Sequence, residues 1–173
     1  MPTTKRNALS TAKALTILIY PDPILRQETE EAAYSDRNLR LLIPQMVATM
    51  EKNQGIGLAA PQIGIAKKII IVTEGESSHA FLNPKIIKRS KEKEQDEEGC
   101  LSLPRLFVRV SRSKQVEILT QTIEGEEIKI VAKGLAARIF QHEIDHIECK
   151  LIIHRISSLA RWKLRSQLKN LGK

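Results

Sequence analysis

The sequence predicts a single α+β domain, with short antiparallel strands packed around one central helix and a further helix near the C-terminus. Three observations point there. Apolar residues recur at helical spacing over residues 39–50 and again from residue 134 to 149; short β-branched runs lie between these segments; and no internal repeat or Gly/Ser linker divides the chain. With 173 residues, such a domain buries about two-thirds of its unfolded surface and needs no metal or disulfide staple for size alone.

Taken in order, residues 1–14 are basic, acid-free and rich in Ser and Thr. They read as a short disordered leader on a cytoplasmic protein, with an organelle-import peptide as the alternative. The catalytic domain is then expected over residues 15–173. Residues 15–20 form a short apolar run closed by Pro21-Asp22-Pro23, a strand or edge segment entering a loop. Asp36 is placed to cap a helix with Leu39, Leu42, Ile43, Met46, Val47 and Met50 on one stripe. Pro44 should kink that helix or delay its start, and Gly55-Ile56-Gly57 ends it. Residues 67–73 and 80–87 read as strands, the second broken at Asn83-Pro84. Residues 88–98 are densely charged and read as a solvated edge or loop. Three more strands are expected at 107–110, 115–122 and 126–131, the last two joined by a hairpin turn at Glu124-Gly125. A final helix, 157–170, should end near Gly172 and turn Leu159, Trp162, Leu164 and Leu168 inward.

Composition removes several function classes. No apolar stretch approaches the roughly 20 residues of a membrane helix, so no membrane partner is expected. Two cysteines are too few for a secreted disulfide framework. Aromatics make up 3% of the chain, which argues against a base-stacking nucleic-acid module and a DNA partner. The net charge is +8, and it sits at the ends: residues 1–21 and 150–173 hold ten of the 28 bases and none of the 20 acids. A basic tail of this kind suits either a solvated helix face or a contact with RNA or an acidic surface.

The sharpest local signal is Gln141-His142-Glu143-Ile144-Asp145-His146. Histidines four apart share a helix face about 6 Å apart along the axis, so both rings can converge on one ion while Glu143 points toward its open position. Leu135, Ile139, His142 and His146 step by four, three and four, which places the ligands on a continued buried stripe. A third ligand is open among Cys100, Cys149, His79 and His154, with Cys100 favoured because Gly99 lets the backbone turn beside it. A plain core thiol at Cys100, or a Cys100–Cys149 disulfide, is the alternative.

Three segments together, Gly55-Ile56-Gly57-Leu58-Ala59-Ala60-Pro61-Gln62, Glu98-Gly99-Cys100-Leu101-Ser102 and the His142–His146 segment, resemble in order and spacing the motifs of peptide deformylases. The resemblance, closest to the shorter, Gram-negative-like branch, runs over residues 15–157. It implies a hydrolase that removes the formyl group from formyl-methionine at the start of nascent polypeptides. It implies one divalent metal ion per chain on Cys100, His142 and His146, ferrous iron in the cell, replaceable by zinc, nickel or cobalt. Glu143 would be the general acid/base, and Gln62 with the Leu101 N–H would form the oxyanion hole. Ile56 and Gly57 would line the substrate groove, and Leu135 and Ile139 would help receive the methionine. The protein would be a monomer, and its basic C-terminal helix would be able to dock on the ribosome, as in some bacterial members. Cys149, His154 and Arg105 depart from the family, which commonly has Gly, Asp, and Gly or a polar residue there. A metallopeptidase built on the same helix and a catalytically silent ribosome-associated protein are the competing readings.

Overall fold

In the computed structural model, which describes residues 12–171, a five-stranded antiparallel sheet has one helix on each face, and a separate two-stranded hairpin closes one side. Residues 1–11 of the expected leader and the expected end at Gly172 lie outside the described residues. The sheet runs β1-β2-β3-β6-β7, from β1 (Gly57–Ala59), β2 (Ile69–Glu74), β3 (Ser77–Arg89), β6 (Gln115–Gln121) and β7 (Glu127–Lys133). The hairpin pairs β4 (Lys93–Cys100) with β5 (Leu103–Ser113).

The apolar run of β2 is explained by its neighbours. Side chains alternate across a strand, so Ile69 and Ile71 pack under α1 (Leu39–Lys52) while Ile70 and Val72 pack under α2 (Gly134–Ile147). Both faces of the strand are therefore buried. In α1 the expected stripe is buried at Leu39, Ile43, Met46, Val47 and Met50, and Pro44 sits inside the helix rather than delaying it. Asn38, not Asp36, occupies the N-cap position; Asp36 accepts from the Asn38 N–H at 2.9 Å one turn earlier.

Several expectations are corrected. Residues 15–20 run extended but join no strand; their N–H groups reach Thr49 Oγ1, Gln62 O and Ser102 O, so the segment straps α1 to two loops. The Asn83-Pro84 pair does not end β3. A register shift between Leu82 and Lys85 absorbs it, with Asn83 at φ +52° and its amide bonded to both backbone groups of Ala32. The charged stretch 88–98 is largely strand, not loop: Lys93 to Glu97 face solvent and Glu98 turns inward. The C-terminal helix is two short ones, α3 (Ser158–Lys163) and α4 (Arg165–Lys169), with Leu159 and Trp162 exposed. Of the four expected inward residues, Leu164 and Leu168, four apart, meet the cluster formed by β5 and residues 151–153. Trp162 is covered instead by Arg165, whose guanidinium stacks 4.6 Å from the ring centroid. The Glu124-Gly125 turn is as expected, with Gly125 at φ +89°.

Candidate metal centre

The central helix α2 is buried over most of its circumference from Ala137 onward. That burial carries His142, Glu143 and His146 to the sheet's interior side, where the β4–β5 turn delivers Cys100. The Cys100 Sγ lies 3.3 Å from His146 Nε2, and the donor atoms of Cys100, His142 and His146 all fall within 4.8 Å of one another. A tetrahedral ion with one sulfur and two nitrogen ligands holds S and N about 3.6 Å apart, so the Cys100–His146 separation matches a shared divalent ion and His142 stands close enough to join it. Both cysteines are free, which removes the disulfide alternative. The other candidate ligands stand elsewhere: Cys149 contacts Gln27 O, His154 Nδ1 accepts from the Leu151 N–H, and His79 stacks on Phe81.

Around this trio lies a buried ionic network. His142 Nδ1 is 3.1 Å from Glu98 Oε2, which orients the ring and leaves Nε2 to face the trio. Glu98 also takes Arg112 in a two-point ion pair at 2.9 Å and Arg138 at 2.7 Å. Arg112 continues to Asp145 at 2.6 Å, and Asp145 pairs with Arg155. Burial opposes ionisation of Glu98, but hydrogen bonds from His142 and Arg112 prevail and hold its pKa at about 2. For His142 burial acts downward, yet hydrogen bonds to Cys100 and Glu98 raise its pKa well above the usual imidazole value. His146 goes the other way: burial, with the His142 and Arg112 charges, holds its pKa well below the usual imidazole value and keeps the ring neutral, the form that binds a metal.

Glu143 follows a different logic. Burial, reinforced by the nearby Glu98 charge, pushes its pKa up to about 7, although the His142 charge opposes this. Its Oε2 is buried and has no hydrogen-bond partner among the described residues. The carboxyl group rests against Gly57, where a Cβ would overlap Oε1 and lie 2.8 Å from Cδ. Gln62 is fixed at both ends: Oε1 accepts from the Ala59 N–H at 2.8 Å, and Nε2 points at Ser102 Oγ (3.3 Å) and Cys100 Sγ (3.7 Å). Leu101 occupies the two-residue turn between β4 and β5, and its N–H makes no backbone hydrogen bond.

Ile56 is exposed beside buried Gly57, Ile139 is buried in the α2 cluster, and Leu135 is exposed. The exposure of Leu135 corrects the expected buried stripe, which among these residues begins at Ile139. Sequence reasoning missed Arg112, Arg138 and Arg155, and saw Glu98 only as part of a motif. The signal was available at Glu98 and Asp145, acids adjoining the two ligand segments.

Residues 14–162 match the polypeptide deformylase family. The chain belongs to that family. A curated peptide deformylase from Thermotoga petrophila is 41% identical over 157 residues, covering 91% of this chain and 96% of the relative. The peptide deformylase crystal structure from Thermotoga maritima superposes with a TM-score of 0.81 at 41% identity, covering 83% of this chain and 98% of that one. A class I type b peptide deformylase from Acinetobacter baumannii, solved with Met-Ala-Ser bound, superposes at 0.80 and 32% identity over 84% and 99% of the two chains. These polypeptide deformylases share the α+β architecture described here, and neither competing reading is favoured by them.

Proposed function

We propose that this chain removes the N-formyl group from formyl-methionine at the start of nascent polypeptides and releases formate. The observation that carries the proposal is the meeting of Cys100, His142 and His146 beside a buried carboxylate, Glu143, with an unpartnered oxygen. Those three residues would hold one divalent ion per chain, Fe2+ in the cell, with Zn2+, Ni2+ or Co2+ as replacements. One thiolate and two imidazoles accept any of these metals. Such an ion supplies Lewis acidity, which brings the pKa of a water from about 16 toward 7.

The chain's own groups divide the rest of the work. Glu143 Oε2 accepts the attacking water's proton and returns it to the departing amine. A carboxyl with its pKa near 7 is suited to both directions of that transfer. The Gln62 amide and the Leu101 N–H stabilise negative charge on the formyl oxygen, an effect worth about 3 kcal/mol for one donor. Ile56 and Gly57 offer backbone groups to an extended peptide, and Leu135 and Ile139 provide aliphatic wall for an unbranched thioether side chain. The Met-Ala-Ser bound by the Acinetobacter relative has the chemistry of the deformylated product.

The domain spans residues 15–173 and works as a cytoplasmic monomer. Among the described residues no helix is long and apolar enough to cross a membrane. Residues 157–170 expose Trp162, Arg161, Arg165 and Lys169 and would dock on the ribosome through RNA phosphates. The deciding experiment measures formate release from formyl-Met-Ala-Ser by the wild type and Glu143→Ala. A drop of several orders of magnitude with metal retained supports the assignment; undiminished release overturns it. Truncation beyond Ser158 should weaken co-sedimentation with ribosomes in a salt-dependent way, and unchanged co-sedimentation refutes the docking.

A further inference from the structure

On the far side of the ionic network, between β5 and α3, lies a cavity of about 540 Å3 whose lining includes Gln95, Arg109, Ser111, Arg155, Ser157 and Lys163. No carboxylate lines it. Arg155 is held at its wall by a buried anion: Asp145 receives its Nε at 2.9 Å and its Nη2. Asp145 is itself fixed by Arg112. An arginine carries five N–H donors in a rigid fork. Two are taken by Asp145, so three remain to meet a ligand, and the guanidinium cannot swing away.

Arg109 and Lys163 are exposed and, among the described residues, make no hydrogen bond or ion pair. Glu97 faces Arg109 across the β4–β5 ladder without pairing with it. A second cavity, of about 650 Å3, contrasts with this one, because its Lys91, Lys114 and Lys133 are accompanied by Glu92 and Glu94. Asp145 compensates Arg155 but not Arg109 or Lys163, so the concavity keeps two unpaired cations beside a guanidinium with donors to spare, and planar guanidinium forks match tetrahedral oxyanions. The volume suits a small polar ligand.

We infer that this cavity is a phosphate-binding site, with Arg155 as its preorganised fork and Arg109 and Lys163 as its flanking charges. The phosphate is that of a free, small diphosphate held inside the cavity. The test is calorimetric titration of the full-length, metal-loaded protein with sodium pyrophosphate and, separately, with a 12-nucleotide single-stranded RNA. Three proteins are compared: the wild type, Arg109→Ala/Lys163→Ala, and Arg165→Ala/Lys169→Ala, which removes two α4 cations outside the cavity.

The cavity variant should bind pyrophosphate at least tenfold more weakly than the wild type, and the α4 variant within twofold of it. Both altered residues of the cavity variant are exposed, so its turnover of formyl-Met-Ala-Ser should stay within twofold and report an intact fold. Pyrophosphate binding that is lost in the cavity variant supports the inference, and binding of RNA alone overturns it. Equal affinity for wild type and cavity variant, equal weakening by both variants, or no binding of either probe overturns the inference.

Discussion

Glu143 reaches its position only because residue 57 has no side chain. A methyl group there would displace the carboxyl from the ground it shares with the β1 backbone. Gly57→Ala should therefore lower kcat/KM for formyl-Met-Ala-Ser by about 100-fold, the order of loss that a 1 Å misplacement causes, with metal content unchanged. Activity within twofold of wild type would contradict this placing. Cys149 presents the opposite case. It stands just past the end of α2 at φ +61°, a left-handed conformation that costs a side-chain-bearing residue about 1 kcal/mol. Its thiol gains only a 3.1 Å contact to Gln27 O in return. Cys149→Gly is expected to raise Tm by about 2–4 °C, as read by thermal unfolding. His154 serves its own turn, its Nδ1 accepting from the Leu151 N–H at 2.9 Å.

At the scale of elements, local pattern revealed type better than partner. The period of α1, the hairpin at Glu124-Gly125 and the ligand-bearing α2 were all legible, because each carries its signal within a few residues. β4 was not: charges on its outward face hid a strand whose one inward acid, Glu98, is satisfied by Arg112, Arg138 and His142 from elsewhere in the chain. Nor was the division of the C-terminal helix, where Leu159 and Trp162 fit a helical stripe but no surface stands opposite them. Leu168 is the residue that anchors this region to β5 and residues 151–153. Leu168→Ala should cost about 2–4 kcal/mol in denaturant unfolding while leaving formate release within twofold. A loss of activity matching Gly57→Ala would mean that α4 supports the site directly.

For the whole molecule, the sheet matters because it lies between two helices. α1 seals one face, α2 enters the other, and the strap of residues 15–20 joins α1, Gln62 and Ser102. Residues separated by about 80 positions along the chain thus become neighbours: Gln62, Cys100 and His146 lie within hydrogen-bonding reach in series. The three motifs told which residues belong together, since their order and spacing resemble one family. They did not tell how the ligands are held, because the arginines that brace Glu98 and Asp145 lie outside all three. That bracing keeps His142 aimed at Cys100 and His146. Metal content of anaerobically purified protein tests this convergence most directly. The wild type should carry one divalent ion per chain and Cys100→Ala a small fraction of that with its fold intact, whereas equal metal in both would contradict it.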